Sequence, residues 1–485
     1  MSNTVSYFQS MLKKVTSNRI VNNFSTITLS NILVQGITIF SSIKIAKGLA
    51  PEDFGIFSYL LVLSNIYLVL SGLGMRQVII RTIAVNPSQS NILFRKSFLL
   101  RTLIFLPLVV SIIIYNNYFS KIHFDQLSVI LLSANILFLS IWDTLESVNY
   151  GYQSMKQPSI IQLFSTALWV VIILLLPSQY IQVNVVMGIT VGLQILRTAV
   201  LYFRSQKNGF ISLSAKNATP LKINLVRESS SFFLLSVFTL ITTQIPVVYL
   251  EQNASDTEIA FYNIALRIIG PVQMLLLTFM NVLYPVVSRI FANDGEKFTN
   301  SIKNVYIFLM LLGNTGAFVL SLFSKEIILL MYGEAYVSSA IVFNVQIWYT
   351  ILYSILCYIG MILSAINKQV LLAKLSFAYA IVATPCLFIG SKYGAIGLSM
   401  GFLVSSMINL SYHYYFLQKS LPTEIPWRVI FVTTGIFFLL MLVTYLTHQT
   451  HFLVRIAAGL ATIGVLLFVL RKQIRRSIKE LMDTR

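Results

Sequence analysis

The chain has 485 residues, of which 56% are hydrophobic and only 11% charged, and its mean hydropathy is +0.78. A soluble domain carries about 25% charged residues, so the composition argues against a water-soluble globular fold. Lys and Arg number 35 against 16 Asp and Glu, a net charge of +19; because the apolar residues come in blocks of about 20, long enough to cross a hydrocarbon core, this excess points to basic loops at a membrane surface rather than to nucleic-acid binding.

Residues 1–23 are polar and basic, with Lys13, Lys14 and Arg19. They lack an apolar core and a small-residue cleavage site, so they do not read as a signal peptide. They are expected to form a cytoplasmic segment lying on the membrane surface. Fourteen spans follow. The first six are 24–43, 54–74, 97–115, 127–148, 160–177 and 181–203. A basic linker, 204–227, leads to 228–250, 261–288, 302–322, 339–366, 370–390 and 394–416. The last two are 427–446 and 452–470, before a basic tail, 471–485. The expected fold is an all-α integral membrane protein. Its two cysteines, Cys357 and Cys386, sit far apart in apolar blocks and suggest no disulfide framework.

An even number of spans puts both termini on one side. With that side cytoplasmic, 28 basic residues fall inside and six outside, and Arg267 lies within a span. The inside set includes Arg76, Arg81, Arg101 and Arg197. The outside set is Lys44, Lys47, Lys121, Lys325, Lys392 and Arg455. This asymmetry predicts the orientation.

The chain also repeats itself. Span two opens with Glu52-Asp53-Phe54-Gly55-Ile56-Phe57-Ser58-Tyr59, and span eight with Thr257-Glu258-Ile259-Ala260-Phe261-Tyr262-Asn263-Ile264, an offset of 205 residues. The copies are six spans apart and share an orientation, which predicts a symmetry axis along the membrane normal. The expected organisation is an N-terminal lobe, 24–203, a C-terminal lobe, 228–416, and two appended spans within 427–470. Parallel repeats are frequent in transporters whose substrate site lies between lobes.

Polar residues inside spans are costly and usually face a cavity or a neighbouring helix. Span one places Thr28, Asn31, Gln35, Thr38 and Ser42 on one face. Span two carries Ser58, Asn65, Gly72 and Arg76, with Arg81 following. Span seven has Ser236, Thr239, Thr243 and Pro246, and span eight has Asn263, Arg267, Gly270, Thr278 and Asn281. Together these stripes predict a wetted cavity, against the plainer reading that Ser, Thr and Asn only join helices. Arg267 stands about two turns inside span eight; it either snorkels to the outer interface or contacts an anionic substrate group, whose oxygens match a guanidinium fork. Asp143 and Glu146, at the cytoplasmic end of span four, are candidates for ion coupling, for interfacial solvation, or for pairing with Lys156. Arg76 and Arg81 are candidates for attracting a diphosphate at the cytoplasmic mouth, although topology alone also accounts for them. Gly188-x-x-x-Gly192 and Gly397-x-x-x-Gly401 predict close helix contacts. His448 and His451 lack companion ligands for a metal, and the chain has no P-loop.

The Ala50-Pro51-Glu52-Asp53-Phe54-Gly55 entry to span two resembles the polysaccharide-export branch of the multidrug/oligosaccharidyl-lipid/polysaccharide flippase superfamily. The Tyr262-Asn263 entry to span eight, its Tyr284-Pro285 exit and the basic interlobe linker share that likeness. Within the superfamily the chain resembles the Wzx-type O-antigen flippases, over about residues 20–420. The resemblance implies inward-to-outward translocation of an undecaprenyl-diphosphate-linked oligosaccharide across the bacterial inner membrane, with neither ATP hydrolysis nor a bound cofactor. It implies the lipid-linked oligosaccharide, membrane lipids and other polysaccharide-assembly membrane proteins as partners, and it points to spans one, two, seven and eight as the site helices. The substrate-contact candidates are thus Arg267, Asn263, Asn281, Asn31, Gln35, Asn65, Arg76 and Arg81. Two other classes remain: an ion-coupled small-molecule antiporter of the same superfamily, and a membrane polymerase or ligase. The short outer loops, such as 251–260 and 323–338, disfavour the second.

Overall fold

The computed structural model describes residues 19–212, 224–293, 295–421, 426–447, 455–457, 459 and 461–462. Among them every regular element is helical. The first helices are α1 (Arg19–Gly48), α2 (Pro51–Gly72), α3 (Met75–Val85), α4 (Ser90–Ile114) and α5 (Gln126–Gly151). They continue with α6 (Lys156–Leu175), α7 (Val183–Lys207), α8 (Leu225–Thr243), α9 (Ile245–Asn253) and α10 (Asp256–Asn293). The remainder are α11 (Gly295–Leu322), α12 (Ser324–Tyr332), α13 (Ser339–Ala365), α14 (Gln369–Ser391), α15 (Gly394–Ser420) and α16 (Trp427–Thr447).

Among the described residues, 12 helical segments are long and apolar enough to cross a membrane. They correspond one for one to expected spans two to thirteen. Expected span one lies within α1, whose side chains are described from Ser30 onward. Expected span fourteen, 452–470, falls largely outside the described residues, as do His448 and His451.

Local chemistry sets the helix ends. Pro51 occupies the first turn of α2, where its missing N–H costs nothing. Asp125 caps α5 by accepting from the Ser128 backbone N–H at 3.1 Å, and Asn224 caps α8 in the same way from Arg227. Pro246 cannot continue the hydrogen-bond ladder, and the seventh span breaks there into α8 and α9.

Contacts divide the chain into two compact units, residues 1–260 and 261–485. In the first, α5 packs against α2, α3, α4 and α7, while α1 packs on α6 and α8 on α3. The seventh span therefore groups with the first unit, whereas the sequence repeat sets it at the head of the second lobe. In the second unit, α15 packs on α13 and α14, and α11 on α13 and α16. Burial separates central from peripheral helices: 67% of the most apolar stretch of α2 and of α13 is buried, against 17% for the α4 segment. The exposed α4 face carries Leu99, Leu103, Leu106 and Val110, as a lipid-facing surface requires.

The two glycine motifs part company. A Cβ at Gly397 would sit 2.3 Å from the Gly390 carbonyl oxygen, and one at Gly401 would sit 2.6 Å from that of Cys386. These glycines let α14 and α15 approach closely. At Gly188 and Gly192 a Cβ would meet nothing within 4 Å among the described residues, so the expected close contact is not made between them.

Candidate functional site

The first unit holds a polar interior built on α2 to α7. Between α2 and α3 the chain turns through Leu73 and Gly74, at φ of 46° and 70°. Gly74 is required twice over: its φ is left-handed, and a Cβ there would sit 2.4 Å from the Phe233 backbone nitrogen and 2.6 Å from the Ser229 carbonyl oxygen of α8. The turn delivers Arg76 at the start of α3 into the interior.

Arg76 donates to Asp143 at 2.6 Å and to Glu146 at 2.7 Å. The two acids stand three residues apart on α5, one turn along the same face. Arg101 of α4 closes the cluster from the other side. It donates to Asp143 at 2.6 Å and to the Ser140 carbonyl oxygen at 2.7 Å. The Arg76 guanidinium also lies 5.2 Å from the centre of the Tyr150 ring. Two arginines and two carboxylates thus neutralise one another. An apolar core of Met75, Val78, Ile79, Trp142 and Leu145 packs beneath α3 and α5, and such a pairing in apolar surroundings keeps the charges tolerable. Asp143 and Glu146 pair with Arg76 and Arg101, and no ion pair joins them to Lys156.

Next to this cluster, α7 carries Arg197. Its guanidinium lies 4.8 Å from the centre of the Trp142 ring, a cation–π placement. Arg197 borders a cavity of about 320 Å³, lined by α1, α2, α5, α6 and α7, with Asn65, Asn135, Thr166, Trp169 and Gln194 on its walls. Asn135 donates to Ser64 at 3.0 Å and the Trp169 indole to Thr190 at 3.1 Å, which fixes those walls.

Arg81 pairs with Glu228 of α8, with its side chain 60% exposed. At the other end of the same span, Glu251 is buried and accepts from the Ser120 hydroxyl at 2.9 Å and from the backbone nitrogens of Lys121 and Ile122 at 2.6 and 3.1 Å. Both clasps tie the seventh span to the first unit.

The expected site residues separate. Asn65 lines the cavity with Thr38, and Arg76 joins Asp143 and Glu146. Gln35 is exposed and Asn31 half-buried on α1. Asn263 and Arg267 lie on α10 in the second unit, where Arg267 is half-buried and has Tyr332 as an electrostatic neighbour. The side chains of Asn281 and Thr28 are outside the described residues.

The hydroxyl stripes prove weaker signals than their spacing implies. Thr38 bonds to the Gln35 carbonyl, Ser42 to that of Ile39, Ser236 to that of Phe232 and Thr243 to that of Thr239. Hydroxyls satisfied by their own helix need no cavity.

Arg101 and Arg197 are the residues that sequence reasoning misses, since charge counting places both with the inner connections. The available signal was depth, as each falls several residues inside an apolar block, at 97–115 and 181–203.

Three comparisons bear on identity. The structure is similar to the lipid II flippase MurJ in an inward closed conformation, with 16% identity over 92% of this chain and 99% of that one, at a TM-score of 0.67. It is similar to an inward-facing multidrug resistance MATE family transporter of the MOP superfamily, with 12% identity over 81% of this chain and 98% of that one, at a TM-score of 0.64. A MOP superfamily transporter from Pyrococcus furiosus shares 11% identity over 82% and 96% of the two chains, at a TM-score of 0.55. These likenesses show a shared fold. No curated protein matches the sequence. The family model described as "Polysaccharide biosynthesis protein" matches residues 20–291, more than half of the chain. The chain is a multi-pass membrane protein with the fold of the MOP flippase superfamily, and it belongs to the polysaccharide biosynthesis protein family.

Proposed function

We propose that the chain is a flippase. It moves an undecaprenyl-diphosphate-linked oligosaccharide, an O-antigen or related repeat unit, from the cytoplasmic to the periplasmic leaflet of the bacterial inner membrane by alternating access. The observation that carries this reading is the placement of Arg76, Arg101, Arg197, Asp143 and Glu146 inside a unit built from membrane-spanning helices. Intramembrane charge is expensive and is retained where polar cargo passes. The family match supports a role in polysaccharide biosynthesis. The fold shared with a lipid II flippase supports lipid-linked cargo. On this reading Arg267 and Asn263 of α10, with Asn281, contact the cargo from the second unit, and Arg76 and Arg81 serve its cytoplasmic entry.

An ion-coupled small-molecule antiporter of the same superfamily is the second reading. The salt bridges at Asp143 and Glu146 weigh against it, because both acids already have cationic partners. A membrane polymerase or ligase is the third.

The test is complementation. In a cell lacking its own flippase, the natural chain should restore surface polysaccharide, with lipid-linked oligosaccharide no longer accumulating on the inner leaflet. Arg267→Lys should retain part of the activity and Arg267→Ala should lose it, at equal membrane abundance. Restored export of a small cation with no effect on surface polysaccharide would replace this reading with the antiporter.

A further inference from the structure

The cavity beside Arg197 has an unusual chemical inventory. Its lining has one cation and, among the described residues, no Asp or Glu. Glu146, the acid that acts on Arg197 electrostatically, is salt-bridged to Arg76 instead. Arg197 Nε is buried and finds no hydrogen-bond partner. A guanidinium carries five N–H donors, and leaving a buried donor unmade costs free energy. Stacking on Trp142 orients the guanidinium without satisfying that donor.

The remaining walls are neutral hydrogen-bonding groups and an aromatic ring. Asn65, Asn135, Gln194 and Thr166 can each donate and accept, and Trp169 presents an indole whose edge is held by Thr190. This set suits a ring bearing several hydroxyls. The volume, about 320 Å³, is on the order of ten waters and is enough to seat one hexose. One cation matches a monoanion: its planar fork fits a carboxylate bidentately. A diphosphate would need more positive charge than this lining supplies.

We propose that this cavity binds a single acidic sugar of the uronic-acid type, with its carboxylate on Arg197 and its hydroxyls on the amide and hydroxyl walls. The identification of that sugar as a residue of transported cargo rests on the flippase reading, whereas the binding itself does not.

Tryptophan emission gives the readout. The chain has four tryptophans; Trp142 stacks on Arg197 and Trp169 lines the cavity. The purified full-length protein in detergent would be titrated with glucuronate, with glucose and with inorganic phosphate at matched ionic strength. Glucuronate should give a saturable change at least about tenfold tighter than glucose, the discrimination expected of a charge-assisted hydrogen bond. Arg197→Gln should remove that preference. Asn65→Leu, which keeps the charge, should weaken glucuronate and serves where Arg197→Gln does not fold. Phosphate binding as tightly as glucuronate would make this a simple phosphate site and overturn the sugar assignment. So would the absence of a saturable response, or an unchanged response in folded Arg197→Gln or Asn65→Leu. Complementation without glucuronate binding would remove this site and leave the flippase reading standing; glucuronate binding without complementation would do the reverse.

Discussion

Arg101 and Asp143 meet at 2.6 Å between α4 and α5, with the arginine side chain only 4% exposed. Asp143 is the carboxylate that neutralises Arg101, whereas Asp143 itself also holds Arg76, so the arginine is the member that would be left buried without a partner, at a desolvation penalty of several kcal/mol. Asp143→Leu should lower stability by about 3–5 kcal/mol, the usual cost of breaking a buried pair from one side, because it leaves the Arg101 guanidinium without its carboxylate. Thermal midpoints of the purified protein, read by size-exclusion recovery, would measure it. Arg101→Met combined with Asp143→Leu should recover much of the loss, since the orphaned guanidinium is gone while Arg76 keeps Glu146. A single variant as stable as the natural protein would show that the pair contributes nothing to the fold.

Glycines offer a graded comparison. Gly74→Ala meets both an unfavourable φ of 70° and backbone atoms of α8 at 2.4 Å, so folded yield should collapse. Gly209 has a similar φ of 72° but no described residue within 4 Å of an added Cβ; Gly209→Ala should cost only about 1 kcal/mol, the left-handed penalty. Gly188→Ala has neither obstacle and should be neutral or slightly stabilising, as helix propensity favours alanine. Expression and thermal recovery of the three variants should follow that order. A Gly74→Ala protein folding as well as Gly188→Ala would contradict the close approach of α8.

Much of this architecture is legible in the sequence because a membrane span is a contiguous block of apolar residues. Spans two to thirteen needed no long-range information. The ion-pair cluster did, since Arg101 and Asp143 are 42 residues apart in sequence, and Arg76 and Glu146 are 70 apart. No periodicity within one helix reveals such a meeting. Charge counting also concealed it: placing Arg101 and Arg197 with the loops improved the topological pattern while hiding their depth. The glycine motifs show the same boundary. Gly188-x-x-x-Gly192 and Gly397-x-x-x-Gly401 have identical spacing, yet among the described residues only the second faces another backbone. Spacing defines a face, and tertiary packing decides what lies opposite it.

The α5 cap predicts a pH response. The Asp125 carboxyl is held below the usual carboxylate range, first by the Ser128 side chain, with Asn184 and the Ser128 backbone N–H adding to it and partial burial opposing. A depressed folded-state pKa contributes stability above the unfolded value, about 3.9, and that contribution is lost as pH falls through the folded value. Asp125→Ala should therefore lower stability by about 1 kcal/mol at neutral pH, as loss of a cap does. The gap between natural and variant protein should close below about pH 4. Asp125→Asn, which keeps a capping oxygen, should lose less at neutral pH. Thermal midpoints across the pH series would decide; a gap independent of pH would rule out the carboxylate as the capping species.

Orientation follows from charge and can be checked at residues the structure exposes. The excess of Lys and Arg on alternate connections predicts that the α3–α4 and α7–α8 connections face the cytoplasm, and that the α4–α5 and α6–α7 connections face outward. Omitting the buried Arg101 and the cavity-lining Arg197 leaves 26 inner charges against six outer ones, so the inference does not depend on them. Ser88 and Asn208 are exposed on the first pair of connections, and Tyr118 and Tyr180, 80% and 54% exposed, on the second. With Cys357 and Cys386 first replaced by serine, single cysteines at these four positions would be treated in intact cells with a membrane-impermeant maleimide. Positions 118 and 180 should react, while 88 and 208 should react only after permeabilisation. The opposite pattern would invert the protein in the membrane. If positions 118 and 180 fell on different sides, an odd number of spans would have to lie between them, and the two-span reading of α5 and α6 would fail.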